Sequence, residues 1–235
     1  MTSDKKGILY GVGVGPGDPE LLTLKAWRLI NENKYIAYPG KCKEDTLAYR
    51  IIESVAERIE EKEFLSCYVE MTKEKEKLNE NYWLIAEKIE EVLDKGENVV
   101  FLTLGDPTIY ATYMYVHQLV EKSGYKTEIV NGVPSFCAAA ARIGISLAER
   151  SEQLHIVPAS YQIEDALLLP GNKILMKSAS RLGEVKKLLI ERSDEVYMVE
   201  NCGMENERIF YSAEEIDERA GYLSLIVVKE KQEEE

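Results

Sequence analysis

The chain has 235 residues, 45% of them hydrophobic, enough to bury one large core or two smaller ones. Its 42 acidic and 29 basic residues leave a formal charge of −13, which opposes long-range attraction to polyanions and argues against nucleic acid as a partner. No apolar run reaches membrane-spanning length and residues 1–7 lack an apolar signal core, so a cytoplasmic protein is expected, with four scattered reduced cysteines and no protein-bound metal.

Residues 8–14 alternate small and β-branched side chains and run into a glycine cluster, the pattern of a buried strand followed by a tight loop. Asp18-Pro19-Glu20 then supplies a cap, a first-turn proline and a first-turn acid. A helix is predicted from 18 to about 31, its apolar face made by Leu21, Leu22, Leu24, Trp27 and Leu29. A strand at 35–38, a helix at 46–57, a strand at 63–67 and a long charged amphipathic helix at 75–94 follow. The wholly apolar run 99–104 reads as a central parallel strand covered on both faces. A helix at 109–122, a strand at 126–130 and an alanine-rich helix at 134–143 continue the strand–loop–helix alternation.

Beyond Gly144, candidate strands at 153–157, 173–176, 195–199, 208–211 and 222–228 outnumber the helices, which points to a mixed sheet. The expected fold class is α/β with two domains, 1–122 built on a mostly parallel sheet and 123–235 on a mixed one. The charged tail, 229–235, is expected to fray in solvent.

Three strand-to-helix loops carry the candidate chemistry. Gly11-Val12-Gly13-Val14-Gly15-Pro16-Gly17-Asp18 lacks the spacing of a dinucleotide fingerprint, because Pro16 or Asp18 falls where the third glycine belongs, and no Gly-Lys-Ser/Thr follows to make a phosphate loop. What remains is a backbone that can approach a flat ligand or another chain segment closely, and a plain tight turn satisfies the same residues. Leu104-Gly105-Asp106-Pro107-Thr108-Ile109-Tyr110 closes the apolar strand, where open α/β sheets bind ligands. Its Asp106 is held extended by Pro107, or simply starts a helix. In Asn131-Gly132-Val133-Pro134-Ser135-Phe136, Ser135 and the amides at a helix start can meet a polar ligand edge or serve as an ordinary cap. His117 and His155 have no partners for a triad or a metal site and read as structural, and Tyr110 and Tyr113 face either a planar ligand or the core.

These loops in this order, opened by Gly15-Pro16-Gly17-Asp18-Pro19-Glu20-Leu21-Leu22-Thr23-Leu24-Lys25-Ala26, resemble the tetrapyrrole methylases, the class III methyltransferases, over nearly the whole chain. The run from Gly105 through Asp-Pro-Thr-Ile-Tyr-Ala-Thr-Tyr-Met to Tyr115, with Val133-Pro134-Ser135-Phe136, Ile174-Leu175-Met176-Lys177 and Tyr222-Leu223-Ser224-Leu225, is similar to the branch that methylates carbon 20 of precorrin-2. The resemblance implies a homodimer whose subunits hold S-adenosylmethionine in a cleft between two α/β domains. It implies a cofactor pocket of Pro16, Gly105, Asp106, Ile109, Thr112, Ser135, Phe136, Met176 and Gly203, with Gly13, Gly15 and Gly17 facing the tetrapyrrole substrate.

A sulfonium methyl is already activated, so alignment and water exclusion are the main requirements, and Asp106 is the candidate to assist proton loss or to bind cofactor. A substrate rich in carboxylates calls for cations, and Arg28, Lys41, Arg142, Lys177 and Arg181 lie near the motifs, Arg28 and Lys177 being the leading candidates for substrate binding. Methylation at carbon 11, at carbon 17 or of uroporphyrinogen, and a non-catalytic tetrapyrrole or nucleotide carrier, are the alternatives.

Overall fold

The computed structural model describes residues 5–70, 72, 74–159 and 163–231; residues 1–4 of the amino-terminal run and 232–235 of the charged tail lie outside the described residues. Two contact units divide the chain, Met1–Pro134 and Ser135–Glu235.

The first unit strings together β1 (Ile8–Gly13), α1 (Leu24–Glu32), β2 (Tyr35–Tyr38), α2 (Leu47–Glu53), β3 (Glu63–Ser66), α3 (Lys75–Leu93), β4 (Val99–Thr103), α4 (Tyr113–Lys122) and β5 (Lys126–Val130). Its sheet is parallel throughout, in the order β3-β2-β4-β1-β5. Val99 and Phe101 pack with α3 and α4, whereas Val100 and Leu102 pack with α1 and α2. Burial on both faces is the reason β4 shows no alternation in sequence. The helices that follow β1 and β4 cover opposite faces, so this adjacent pair is the topological switch point of the sheet, where open α/β sheets place their ligands.

The helix expected from 18 to 31 is in fact two pieces. Asp18 caps a short 3-10 turn, Pro19–Leu21, the chain extends through Leu22, and Thr23 then caps α1 by accepting the Ala26 amide at 3.1 Å. The second cap re-phases the helix, so its buried stripe is Ala26, Leu29 and Ile30, while Leu24 is 87% exposed. The helix expected from 109 likewise begins at Tyr113, after an irregular segment in which Tyr110 has a φ of 49°.

The second unit contains α5 (Ser135–Ile143), β6 (Leu154–Pro158), α6 (Glu164–Leu167), β7 (Asn172–Met176), α7 (Leu182–Ile190), β8 (Glu195–Glu200), β9 (Arg208–Phe210) and β10 (Ser224–Lys229). Its sheet runs β6-β7-β10-β8-β9, with β6 and β7 parallel and every other pair antiparallel. Leu167 of α6 and Leu182, Val185 and Leu189 of α7, two helices the sequence patterning did not single out, join its core. β5, expected to open the second domain at 123, pairs with β1 from Ile8↔Lys126 to Val12↔Val130, which carries the boundary on to Pro134. Among the described residues, no helix is long and apolar enough to cross a membrane.

Candidate active site

In the first unit, the loops leaving β1, β4 and β5 meet one another. Val14 donates its amide to the Thr103 carbonyl at 2.9 Å, and Gly15 and Gly105 exchange two backbone hydrogen bonds of 3.3 and 2.8 Å. Gly15 and Gly105 have φ of 75° and 69°, the left-handed region that glycine enters without strain. A Cβ on Gly13 would lie 2.5 Å from the Gly132 nitrogen and 2.6 Å from the Gly105 oxygen, and one on Gly132 would lie 2.2 Å from that same oxygen. Close approach of another chain segment thus requires a glycine at Gly13, and the left-handed φ favours one at Gly15. Pro16 and Gly17 continue the loop and are buried.

Asp106 ties two of these loops together. Its Oδ1 accepts the Thr108 amide at 2.8 Å and the Thr108 hydroxyl at 2.5 Å, and its Oδ2 accepts Asn131 Nδ2 and the Gly132 amide, both at 3.1 Å. Burial alone would push this carboxyl up, but the bonds from Thr108, Asn131 and Gly132 together outweigh it and hold the group below its ordinary value. An ionised carboxylate with four donors already in place is a brace and a poor proton acceptor, so the geometry does not favour Asp106 as the base. The Thr108 contact is legible locally as an Asp side chain bonding its backbone two residues on. Asn131 and Gly132, 25 and 26 residues away, are not.

Ile109 and Thr112 lie half-buried between this brace and α4, with Thr112 at the N-cap position of α4 but making no side-chain cap bond. Tyr113 belongs to the core: its ring fills the space over Gly11, and its hydroxyl donates to the Glu128 carbonyl at 3.2 Å and lies 3.0 Å from His117 Nδ1. His117 is thereby structural, and His155 lies 2.9 Å from the Pro170 carbonyl oxygen.

In the second unit, Ser135 and Phe136 start α5, with Phe136 8% exposed. Met176 ends β7, and its carbonyl accepts the Ala159 amide at 2.7 Å. Lys177 turns the chain with a φ of 58°, and burial pushes its amine down. Gly203 has a φ of 77° and donates its amide to Glu207 at 2.7 Å. That same carboxylate forms a forked pair with Arg142, so Gly203 lies in a closed ion-paired turn.

The expected cations divide clearly. Arg28 pairs with Glu32 at 2.8 Å and lines a cleft of about 270 Å³ with Tyr10, Asn33 and Asn98. Asn98 precedes β4, so this cleft includes the strand end opposite the Gly105 loop, which does not suit the role expected of Arg28. Arg142 is held by Glu207, and Arg181 by Glu184 and Glu164. Lys41, in the loop after β2, meets no acid among the described residues, and its ammonium sits 4.5 Å above the Tyr68 ring. No three His, Cys, Asp or Glu side chains gather as metal ligands among the described residues.

Sequence patterning passed over two buried hydroxyls without hydrogen-bond partners, Thr103 Oγ1 and Ser178 Oγ. Each adjoins a motif segment, Thr103 before Leu104-Gly105-Asp106 and Ser178 after Met176-Lys177. For Thr103 the available signal was a polar residue inside an otherwise apolar run.

Known proteins share both the sequence and the architecture. The chain is 36% identical over 226 residues to a probable cobalt-precorrin-2 C(20)-methyltransferase of Methanocaldococcus jannaschii, spanning 94% of this chain and 95% of that one. It is 28% identical over 239 residues to a precorrin-2 C(20)-methyltransferase of a Sinorhizobium species, spanning 97% of each. The fold is similar to that of a solved cobalt precorrin-4 methyltransferase, CbiF, with a TM-score of 0.74 at 23% identity over 94% of each chain. It is also similar to a uroporphyrin-III C-methyltransferase of Thermus thermophilus solved with S-adenosylhomocysteine, with a TM-score of 0.71 at 23% identity over 95% of this chain and 98% of that one. The match to the family runs from β1 of the parallel sheet through β9 of the mixed sheet, residues 8–217, and the chain belongs to the tetrapyrrole (corrin/porphyrin) methylases.

Proposed function

We propose that the chain is an S-adenosylmethionine-dependent methyltransferase acting on carbon 20 of precorrin-2 or its cobalt form, in cobalamin biosynthesis. The observation that carries this reading is the likeness, over nearly the full length of each partner, to two C(20)-methyltransferases. In the first unit, Pro16, Gly105, Ile109 and Thr112 are the proposed cofactor contacts. In the second they are Ser135, Phe136 and Met176, with Gly203 able to offer only its carbonyl and Cα because its amide is committed. In the first unit, the buried Thr103 hydroxyl beside the Gly105 loop suits a hydroxyl-rich nucleoside.

S-adenosylmethionine, when bound, supplies a methyl group on a sulfonium that needs no further activation. What falls to the protein is to hold a ring carbon in line with that methyl and to exclude water. Asp106 acts as a positioning residue, keeping the β4 and β5 loops in register. Lys41 and Lys177 are the proposed cations for the substrate carboxylates, and Gly17 the loop position facing the macrocycle. Any cobalt belongs to the substrate. The active form is proposed to be a cytoplasmic homodimer; light scattering of the purified chain tests the dimer.

The activity is tested by incubating the protein with labelled S-adenosylmethionine and either precorrin-2 or cobalt-factor II, then locating the new methyl by mass spectrometry and carbon NMR. One methyl at carbon 20 is expected. Transfer at carbon 11 or 17 would reassign the member within the family, and tight cofactor binding with no transfer would favour a carrier.

A further inference from the structure

Three buried polar groups have no hydrogen-bond partner among the described residues: Thr103 Oγ1, Lys173 Nζ and Ser178 Oγ. Thr103 is distinguished by its place. It is the last residue of β4, one strand of the switch-point pair, opposite Gly13 of β1 and one residue before Leu104-Gly105-Asp106. Strand alternation puts it on the same face as Val99 and Phe101, where α4 packs with the Tyr113 ring 5.5 Å from the Phe101 ring.

Every other residue of β4 is apolar, and Thr103 itself is only 6% exposed. A valine would have nearly the same shape and strand preference without stranding a hydroxyl. The Thr103 carbonyl is occupied by the Val14 amide, so the backbone is satisfied and the side chain alone is not. Native proteins seldom leave a buried hydroxyl unpaired, because its lost hydration is then uncompensated. A molecule packed against the β4–α4 wall would supply that partner.

We infer that Thr103 Oγ1 contacts the methyl donor, hydrogen-bonding a polar group of the S-adenosyl cofactor beside the Gly105–Asp106 loop. The inference rests on the function proposed above. A hydroxyl donates one hydrogen bond and accepts two, so it suits a ribose hydroxyl or the amino-acid end of the cofactor without adding charge near the sulfonium. Donor and demethylated product differ only at sulfur, so the contact serves both, and S-adenosylhomocysteine is the probe.

Calorimetric titration of S-adenosylhomocysteine into the wild-type chain, Thr103→Val and Thr103→Ser tests it. Thr103→Val is expected to weaken binding roughly 3- to 10-fold, the value of one neutral hydrogen bond, with no loss of thermal stability. Thr103→Ser, which keeps the hydroxyl, is expected to bind close to wild type. Wild-type affinity in Thr103→Val would overturn the inference, and so would equal weakening in both variants, because Thr103→Ser keeps the hydroxyl that is held to make the contact. A wild-type chain that fails to bind S-adenosylhomocysteine at all would instead bring down the proposed function, and this contact with it.

Discussion

Removing the Asp106 carboxylate strands several donors at once. In Asp106→Ala, the Gly132 amide, the Asn131 amide and the Thr108 hydroxyl and amide lose their acceptor, and the buried share of that loss is worth about 2–3 kcal/mol of stability. The effect depends on pH with a definite sign. The folded carboxyl is held below its ordinary value, so the folded chain binds this proton less readily than the unfolded chain, and acid favours unfolding. Its stabilisation is complete above the unfolded value near pH 4 and is lost as pH falls through the folded value. Urea unfolding of wild type and Asp106→Ala at pH 7 and in acid should show a gap that closes toward low pH; a gap independent of pH would mean that the side chain acts by packing alone. The candidate residue was legible here but its role was not, because two of its partners belong to a loop brought in by β5 pairing.

At the level of elements, the three loops touch one another with no room for a side chain at Gly13 or Gly132. Gly132→Ala would place a Cβ 2.2 Å from the Gly105 oxygen, which cannot be relieved without parting the β4 and β5 loops. A destabilisation of roughly 1–3 kcal/mol is expected, the usual scale of overpacking. Cofactor affinity should fall with it, since Gly105 and the Asp106 brace move together. Thermal melts and S-adenosylhomocysteine titration measure both, and an alanine variant with wild-type stability and binding would show that the loops separate freely. Strands and long helices were legible because their periods are imposed locally by burial, as in β2 and β5, whose observed limits match the patterns. The split of the first helix was harder to see. Asp18 and Thr23 are both good caps five residues apart, and only the packing of Leu29 and Ile30 shows which of them sets the phase of α1.

Across the whole molecule, the two units have separate cores and meet pH differently. Their number and sheet types were legible from alternation, but the boundary was not, because the allegiance of β5 is a long-range pairing that no local pattern records. In the second unit, Lys173 of β7 is fully buried, and burial pushes its amine down, while Glu230 and Asp194 oppose the shift and Arg192 adds to it. Between that lowered value and the unfolded value near 10.5, the unfolded chain holds a proton that the folded chain has released. Stability therefore rises with pH across this window and is flat below it. Lys173→Met, which keeps the length of the side chain and removes the ammonium, should raise stability near neutral pH by about 1–3 kcal/mol and abolish the alkaline rise. Hydrogen exchange read on β7 and β10, with β1 and β4 as internal controls, locates the effect. Slower exchange confined to β7 and β10 is expected in the variant at pH 7. Unchanged exchange there, or a wild-type chain whose β7 protection does not grow toward pH 10, would mean that the amine reaches water and that β7 carries no buried charge.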